Sequence, residues 1–214
     1  MKADDVARYL RENPLFFEKY ADMLAEVHVP NPHGGRAIPL SDRQLLALRE
    51  KNKALESRLA GLLRIGEEND AIGEKMHRLC LALLAAPDLQ SLMSVLYLHL
   101  REDFAVPHVV LRVWGKAVPA DFDEALEVDA KQREHASLMA APQCGPAQGN
   151  LFTAWFRDAA DHIRSIALVP LGQTTVFGLL ALGSEDPQRF YPEMGTLYLR
   201  RIGELTAAGV TARL

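Results

Sequence analysis

Leu45, Leu48, Asn52, Leu55, Leu59 and Leu62 step along the chain by 3, 4, 3, 4 and 3 residues. In an α-helix that spacing puts all six on one stripe, at the period of a coiled-coil seam. "SDRQ" at Ser41–Gln44 has the form of a capping box, in which Ser41 accepts from the backbone and Gln44 reaches back. A helix is therefore expected from Asp42 to about Ala85, stopping before Pro87. Its roughly 40 residues far exceed the common globular helix. Either it lies along its own domain, or its seam pairs with another chain; the length favours pairing in a homodimer. In register the stripe runs on through Gly66, Asn69 and Gly73 to Met76, Cys80 and Leu83. Small and polar residues there predict a weak point or phase shift near 66–73. The expected dimer contacts are Leu45, Leu48, Leu55, Leu59, Leu62 and Met76.

Ahead of this helix, Asp4–Arg11 carries Val6, Ala7 and Leu10 at helical spacing. "NPLFFEKYADML" reads as a second helix, with Asn13 as N-cap and Pro14 at the first helical position. Phe16, Phe17, Tyr20 and Leu24 form its apolar stripe and a candidate docking face for a protein partner. "HVPNPHGG" (His28–Gly35) reads as a loop.

After Pro87 the pattern changes. Asp88 opens a helix whose expected buried face is Leu89, Leu92, Met93, Leu96 and Leu100. Alternation then replaces the helical period: "VPHVVLRVWG" (Val106–Gly115) reads as a strand. Val109, Leu111 and Val113 point one way, and His108, Val110, Arg112 and Trp114 the other. An irregular crossover follows, with a helix predicted through Lys131–Ala140. Two strands, Ser165–Leu171 and Val176–Gly183, flank a short "GQTT" connection. Pro192 is expected to start a last helix with Met194, Tyr198, Ile202 and Leu205 on one face. The organisation is short helices and loop over 1–40, the long helix over 41–86, and an α+β layer domain over 87–214.

Charge and composition exclude several classes. The net charge of −4 contains no basic excess for direct nucleic-acid binding. The longest strictly apolar run, Leu79–Ala86, is far short of a membrane span. Two cysteines give neither a disulfide framework nor a zinc pattern, as expected of a reduced, cytoplasmic protein. No metal site is expected, and the sequence carries neither a phosphate-loop nor a nucleophile-elbow pattern.

The stretch "SIALVPL…GLLALGS…RFYPEMGTLYLRRIGEL" resembles the second half of a GAF domain. More narrowly, "VARYLRENPLFF", "PHGG", "PLSDRQLLALREKN", "CG" at Cys144–Gly145 and "RFYPEMGT" resemble the bacterial DUF484 proteins over nearly the whole chain. That resemblance implies a GAF-like, six-stranded antiparallel sheet flanked by helices, preceded by a helical segment, and it carries no agreed activity. GAF-like domains often dimerise through flanking helices, and many hold a small molecule between sheet and crossover. The Asn-Lys-X-Asp-Glu signature of cyclic-nucleotide binders is absent here.

Candidate ligand contacts are Arg112 and Trp114 on one strand face, Phe152, Trp155 and Phe156 from the crossover, Arg164, and Cys144 in "APQCGPA". Ligand sites are mostly apolar with few polar anchors, so Arg112 is the candidate for meeting an anion. Each residue also has a structural reading: the aromatics as core, Arg112 with its head in solvent. A reactive Cys144 would need a lowered pKa, and no Lys or Arg adjoins it. The leading expectation is a non-catalytic regulatory or interaction protein, with no cofactor beyond an unidentified small molecule. The alternatives are a thiol-dependent reductase using Cys144, or an adaptor for a DNA-acting protein.

Overall fold

The computed structural model describes residues 2–29, 38–114, 118–172 and 174–214. The chain divides into two compact units, Met1–Asn69 and Asp70–Leu214.

The first unit begins with α1 (Ala3–Glu12), α2 (Leu15–Lys19) and α3 (Ala21–Glu26). Asn13 closes α1 rather than opening the next helix: its backbone N–H and its side-chain amide both donate to the Tyr9 carbonyl. Pro14 is then the N-cap of α2, so the helix starts one residue later than expected. The anticipated single helix breaks at Tyr20, whose backbone leaves helical geometry. Phe16 stacks against Tyr20 at 4.8 Å, while Phe17 and Tyr20 remain exposed. The side chains of Leu24 and Ser41, and the "PNPHGG" part of the loop, lie outside the described residues. On either side of that loop, β1 (His28–Val29) pairs antiparallel with β2 (Ile38–Pro39).

The helix α4 (Leu40–Ala85) runs unbroken for 46 residues. The division at Asn69 falls among its small and polar seam positions, within the 66–73 stretch. Leu45, Leu48, Leu55, Leu59 and Leu62 are all between 48% and 66% exposed. From Met76 onward the same helix turns Met76, Leu79 and Leu83 into the core of the second unit.

That unit is a sheet with a helical layer on one face and the crossover on the other. α5 (Leu89–Glu102) is capped by Asp88, whose carboxylate accepts from the Ser91 N–H at 2.8 Å, and it buries the five residues expected. Then come β3 (His108–Val113), α6 (Ala130–Ser137), β4 (Gln143–Pro146), β5 (Ser165–Leu171), β6 (Gly178–Ser184) and α7 (Leu197–Thr211). The sheet order is β3-β6-β5-β4 and every pairing is antiparallel, for example Val109 opposite Leu182. Among the described residues this sheet has four strands, where the resemblance implied six. Much of the crossover forms turns and short helices instead, in keeping with its prolines and acidic residues.

Alternation sends Val109, Leu111 and Val113 with Ala167, Val169, Leu180 and Leu182 toward α4, α5 and α7. Ile166, Leu168, Leu179 and Ala181 face Phe152, Trp155 and Phe156 on the other side. With both faces covered, β6 is buried at all seven positions. The last helix starts at Leu197, not Pro192, since the Met194 N–H closes a turn onto the Tyr191 carbonyl and postpones the helix to Thr196. α6 ends at Ser137, short of Ala140. The β5–β6 connection is longer than a tight hairpin: Gly172 has φ of +114°, and the Phe177 N–H returns to the Leu171 carbonyl. At Gly172 a Cβ would meet the Thr175 carbonyl oxygen at 2.1 Å, which requires glycine.

Candidate functional site

The strand period puts Arg112 of β3 on the crossover side of the sheet, where it is 7% exposed. Its Nη1 donates to the carbonyl of Asp123 at 2.7 Å and of Leu111 at 3.2 Å. Its guanidinium lies 5.9 Å from the centre of the Trp155 ring. Burial pulls the guanidinium pKa below its ordinary value. Among the described residues no carboxylate comes within ion-pair distance of it.

Around Arg112 the fold gathers groups from four segments into the wall of a cavity of about 350 Å³. α5 contributes Tyr97, whose hydroxyl makes a short hydrogen bond to Glu124 Oε1. Glu124 sits in a one-turn 3-10 helix (Asp123–Ala125) and is buried. Burial first, and the Glu124 carboxylate second, push the Tyr97 phenol well above its ordinary pKa, so it stays a donor. The crossover contributes Trp155 and Phe156 from a second 3-10 segment, Thr153–Ala159. Trp155 is fixed from behind: its Nε1 donates to Gln132 Oε1 at 3.1 Å, and Phe152 meets it edge-on at 5.0 Å. Arg157 interrupts that segment with φ of 51°, a conformation costly for a residue other than glycine, and pairs with Asp123 at 3.3 Å. At the start of β3, His108 crosses Phe156 edge-on at 6.4 Å. Its Nε2 is buried without a hydrogen-bond partner among the described residues, the nearest carboxylate being Glu185 at 3.7 Å.

Of the seven ligand-contact candidates, three therefore meet in one place: Arg112, Trp155 and Phe156. Trp114 and Phe152 pack on the same side of the sheet as part of the core layer. Arg164 is exposed and donates to the Asp161 carbonyl. Cys144 is in β4, opposite Ala167 at the edge of the sheet away from β3. Its thiol packs toward the helical layer, across the sheet from Arg112, and burial raises its pKa. The thiolate that reductase chemistry requires is thus disfavoured here. Sequence reasoning missed Tyr97, Asp123, Glu124 and Arg157. Tyr97 adjoins the apolar stripe of α5 and could have been noticed as its polar margin. Glu124 lies in "ADFDEALE", where no period marks a buried carboxylate.

A second cavity of about 280 Å³ shares Tyr97, Asp123 and Glu124 with the first. A larger hollow of about 730 Å³ adjoins α7, but its Arg200 and Glu204 are exposed, so it holds no buried charge to anchor a ligand. Among the described residues no three His, Cys, Asp or Glu side chains cluster as metal ligands. No described helix is long and apolar enough to cross a membrane.

The family model described as "Protein of unknown function, DUF484" matches residues 1–211. The uncharacterized protein YigA of Salmonella typhimurium is 24% identical over 204 residues, which cover 92% of this chain and 86% of YigA. Among solved structures, the GAF domain of A. aeolicus nlh2 in an inactive state aligns with a TM-score of 0.47 and 12% identity. That alignment covers 68% of this chain and 99% of the nlh2 chain.

Proposed function

Because the chain belongs to the DUF484 family, whose description assigns no activity, we propose a function from the site itself: a non-catalytic regulatory protein that binds a small molecule. The observation that carries this reading is the cavity, where Arg112, Tyr97, Glu124, Trp155 and Phe156 converge from separate segments. Its volume falls at the lower end of small-molecule sites, and Arg112, Tyr97 and Glu124 are each held by hydrogen bonds of their own. Occupancy would act on the crossover, which supplies Trp155 and the 3-10 turn that Arg112 holds, and so bias that segment between arrangements.

The companion proposal is a homodimer through α4. Five leucines of its seam lie uncovered in the single chain. Asn52 interrupts them at a core position, where one polar residue commonly sets register in a two-stranded coil. Lys51 would flank the seam of a parallel pair within reach of Glu56 of the partner subunit, an attractive match. Effects on a second protein would pass through the N-terminal helices, where Phe17 and Tyr20 are exposed.

Native mass spectrometry of the protein purified from its own host tests the ligand reading. The expected result is a retained small molecule that is released on denaturation and absent from Trp155→Ala. A bare polypeptide mass in every preparation contradicts it.

A further inference from the structure

We propose that the cavity beside β3 is an anion site, which takes a small organic acid by its carboxylate or phosphate group with Arg112 as the anchor. This rests on the reading of the cavity as a ligand site.

Three features of the wall point to an anion. Arg112 is buried, and both of its hydrogen bonds leave from Nη1 to neutral carbonyls. A guanidinium carries five donors in a fork that fits carboxylate and phosphate oxygens. With no carboxylate in ion-pair contact among the described residues, its charge pays a desolvation cost that an anionic guest would offset. Second, the same wall holds Arg101 and Arg157, so three guanidiniums face two carboxylates, Asp123 and Glu124. Both carboxylates are already engaged, by Arg157 and by Tyr97. Third, His108 lines the same wall, its buried Nε2 lacking a hydrogen-bond partner among the described residues and lying 3.7 Å from the Glu185 carboxylate. His108 becomes a donor there whenever that nitrogen carries the proton.

The remaining wall says what kind of anion. Trp155 and Phe156 present aromatic surface beside the cationic group, which suits an apolar or planar body attached to the acid. A bare inorganic ion would leave that surface uncovered. Arg157 holds its costly backbone geometry at this same wall, as residues at binding sites often do.

The test titrates the full chain with benzoate, phenyl phosphate, inorganic phosphate and uncharged benzamide. Calorimetry and tryptophan fluorescence are the readouts, since Trp155 is one of only two tryptophans in the chain. Benzoate or phenyl phosphate is expected to bind at least about tenfold more tightly than benzamide or inorganic phosphate. Arg112→Gln should abolish that binding. Arg101→Glu, at an exposed position, should weaken it by about tenfold or more while leaving thermal unfolding unchanged, so a misfolded Arg112 variant cannot mask the result. Benzamide and benzoate binding equally, or indifference to Arg101→Glu, overturns the anion assignment and leaves the ligand reading intact. So does a neutral molecule recovered from the purified protein. Failure of every probe also overturns it, whereas the ligand reading falls only if protein from its own host retains nothing.

Discussion

Residues 2–69 and 70–214 use leucine in opposite ways. In the second unit leucines from α4, α5, β3, β6 and α7 close over one another, and Leu79, Leu92, Leu96, Leu111 and Leu180 have no exposed surface. In the first unit none of the described side chains is buried, and the seam of α4 stands open along its length. One helix serves both units: beyond Asn69 it faces a sheet, and before Asn69 its stripe is covered by no described residue of its own unit. A core stabilises its own fold wherever the protein is. An open seam contributes only when something covers it, so its worth depends on concentration.

Six single substitutions sharpen or break that contrast. The largest effect belongs to Leu180→Ala in the central strand β6, which should cost about 2–5 kcal/mol in chemical denaturation. Leu59→Ala, measured where the chain is monomeric, should change stability by no more than about 0.5 kcal/mol. Equal costs at the two sites would break the comparison. Tyr97→Phe leaves the buried Glu124 without its hydrogen-bond donor and should cost about 1–3 kcal/mol. A neutral result in the same denaturation experiment would mean that water satisfies Glu124 and that the cavity wall is looser than described.

Glycine gives the contrast a change of sign. At Gly203 of α7 a Cβ would lie 2.6 Å from Val169 Cγ1, so Gly203→Ala should destabilise by about 1–3 kcal/mol through overpacking. At Gly66 of α4 nothing lies within 4 Å of the new methyl, and Gly66→Ala should stabilise by up to about 1 kcal/mol. Thermal melts of the two variants moving in the same direction would remove the distinction.

The smallest effect is acid-dependent. Hydrogen bonds from Arg78 and then His99 hold the Asp103 carboxyl below its ordinary pKa. Its contribution is therefore present above the ordinary carboxylate pKa of about 4 and lost as pH falls through the lowered folded-state value. Asp103→Asn should lower stability slightly at neutral pH, with the difference from wild type vanishing in acid. A gap that persists at low pH would assign the loss to packing rather than charge.

The buried stripe of α5 was readable because five apolar residues recur at helical spacing behind an Asp cap. Both faces of β3 were readable from strict alternation, which is also what placed Arg112 beside the crossover aromatics. Helix boundaries at Asn13 and Pro192 were not, because each residue suits two roles there. Asn13 can cap either neighbouring helix, and Pro192 fits a turn as well as a first helical position. The Tyr97–Glu124 pair joins residues 27 apart across an aperiodic segment, so no local pattern announces it. Cys144 was singled out by its chemistry; its place in an edge strand, half-buried toward the other layer, follows from pairing with Ala167.

The claim that the first unit's seam is completed by a second copy is open to one direct measurement, light scattering on the full-length chain at micromolar concentration. The account predicts twice the 23.7 kDa of one chain, falling to one chain's mass in Leu55→Asp/Leu59→Asp. A wild-type protein that remains at 23.7 kDa across that range would contradict it.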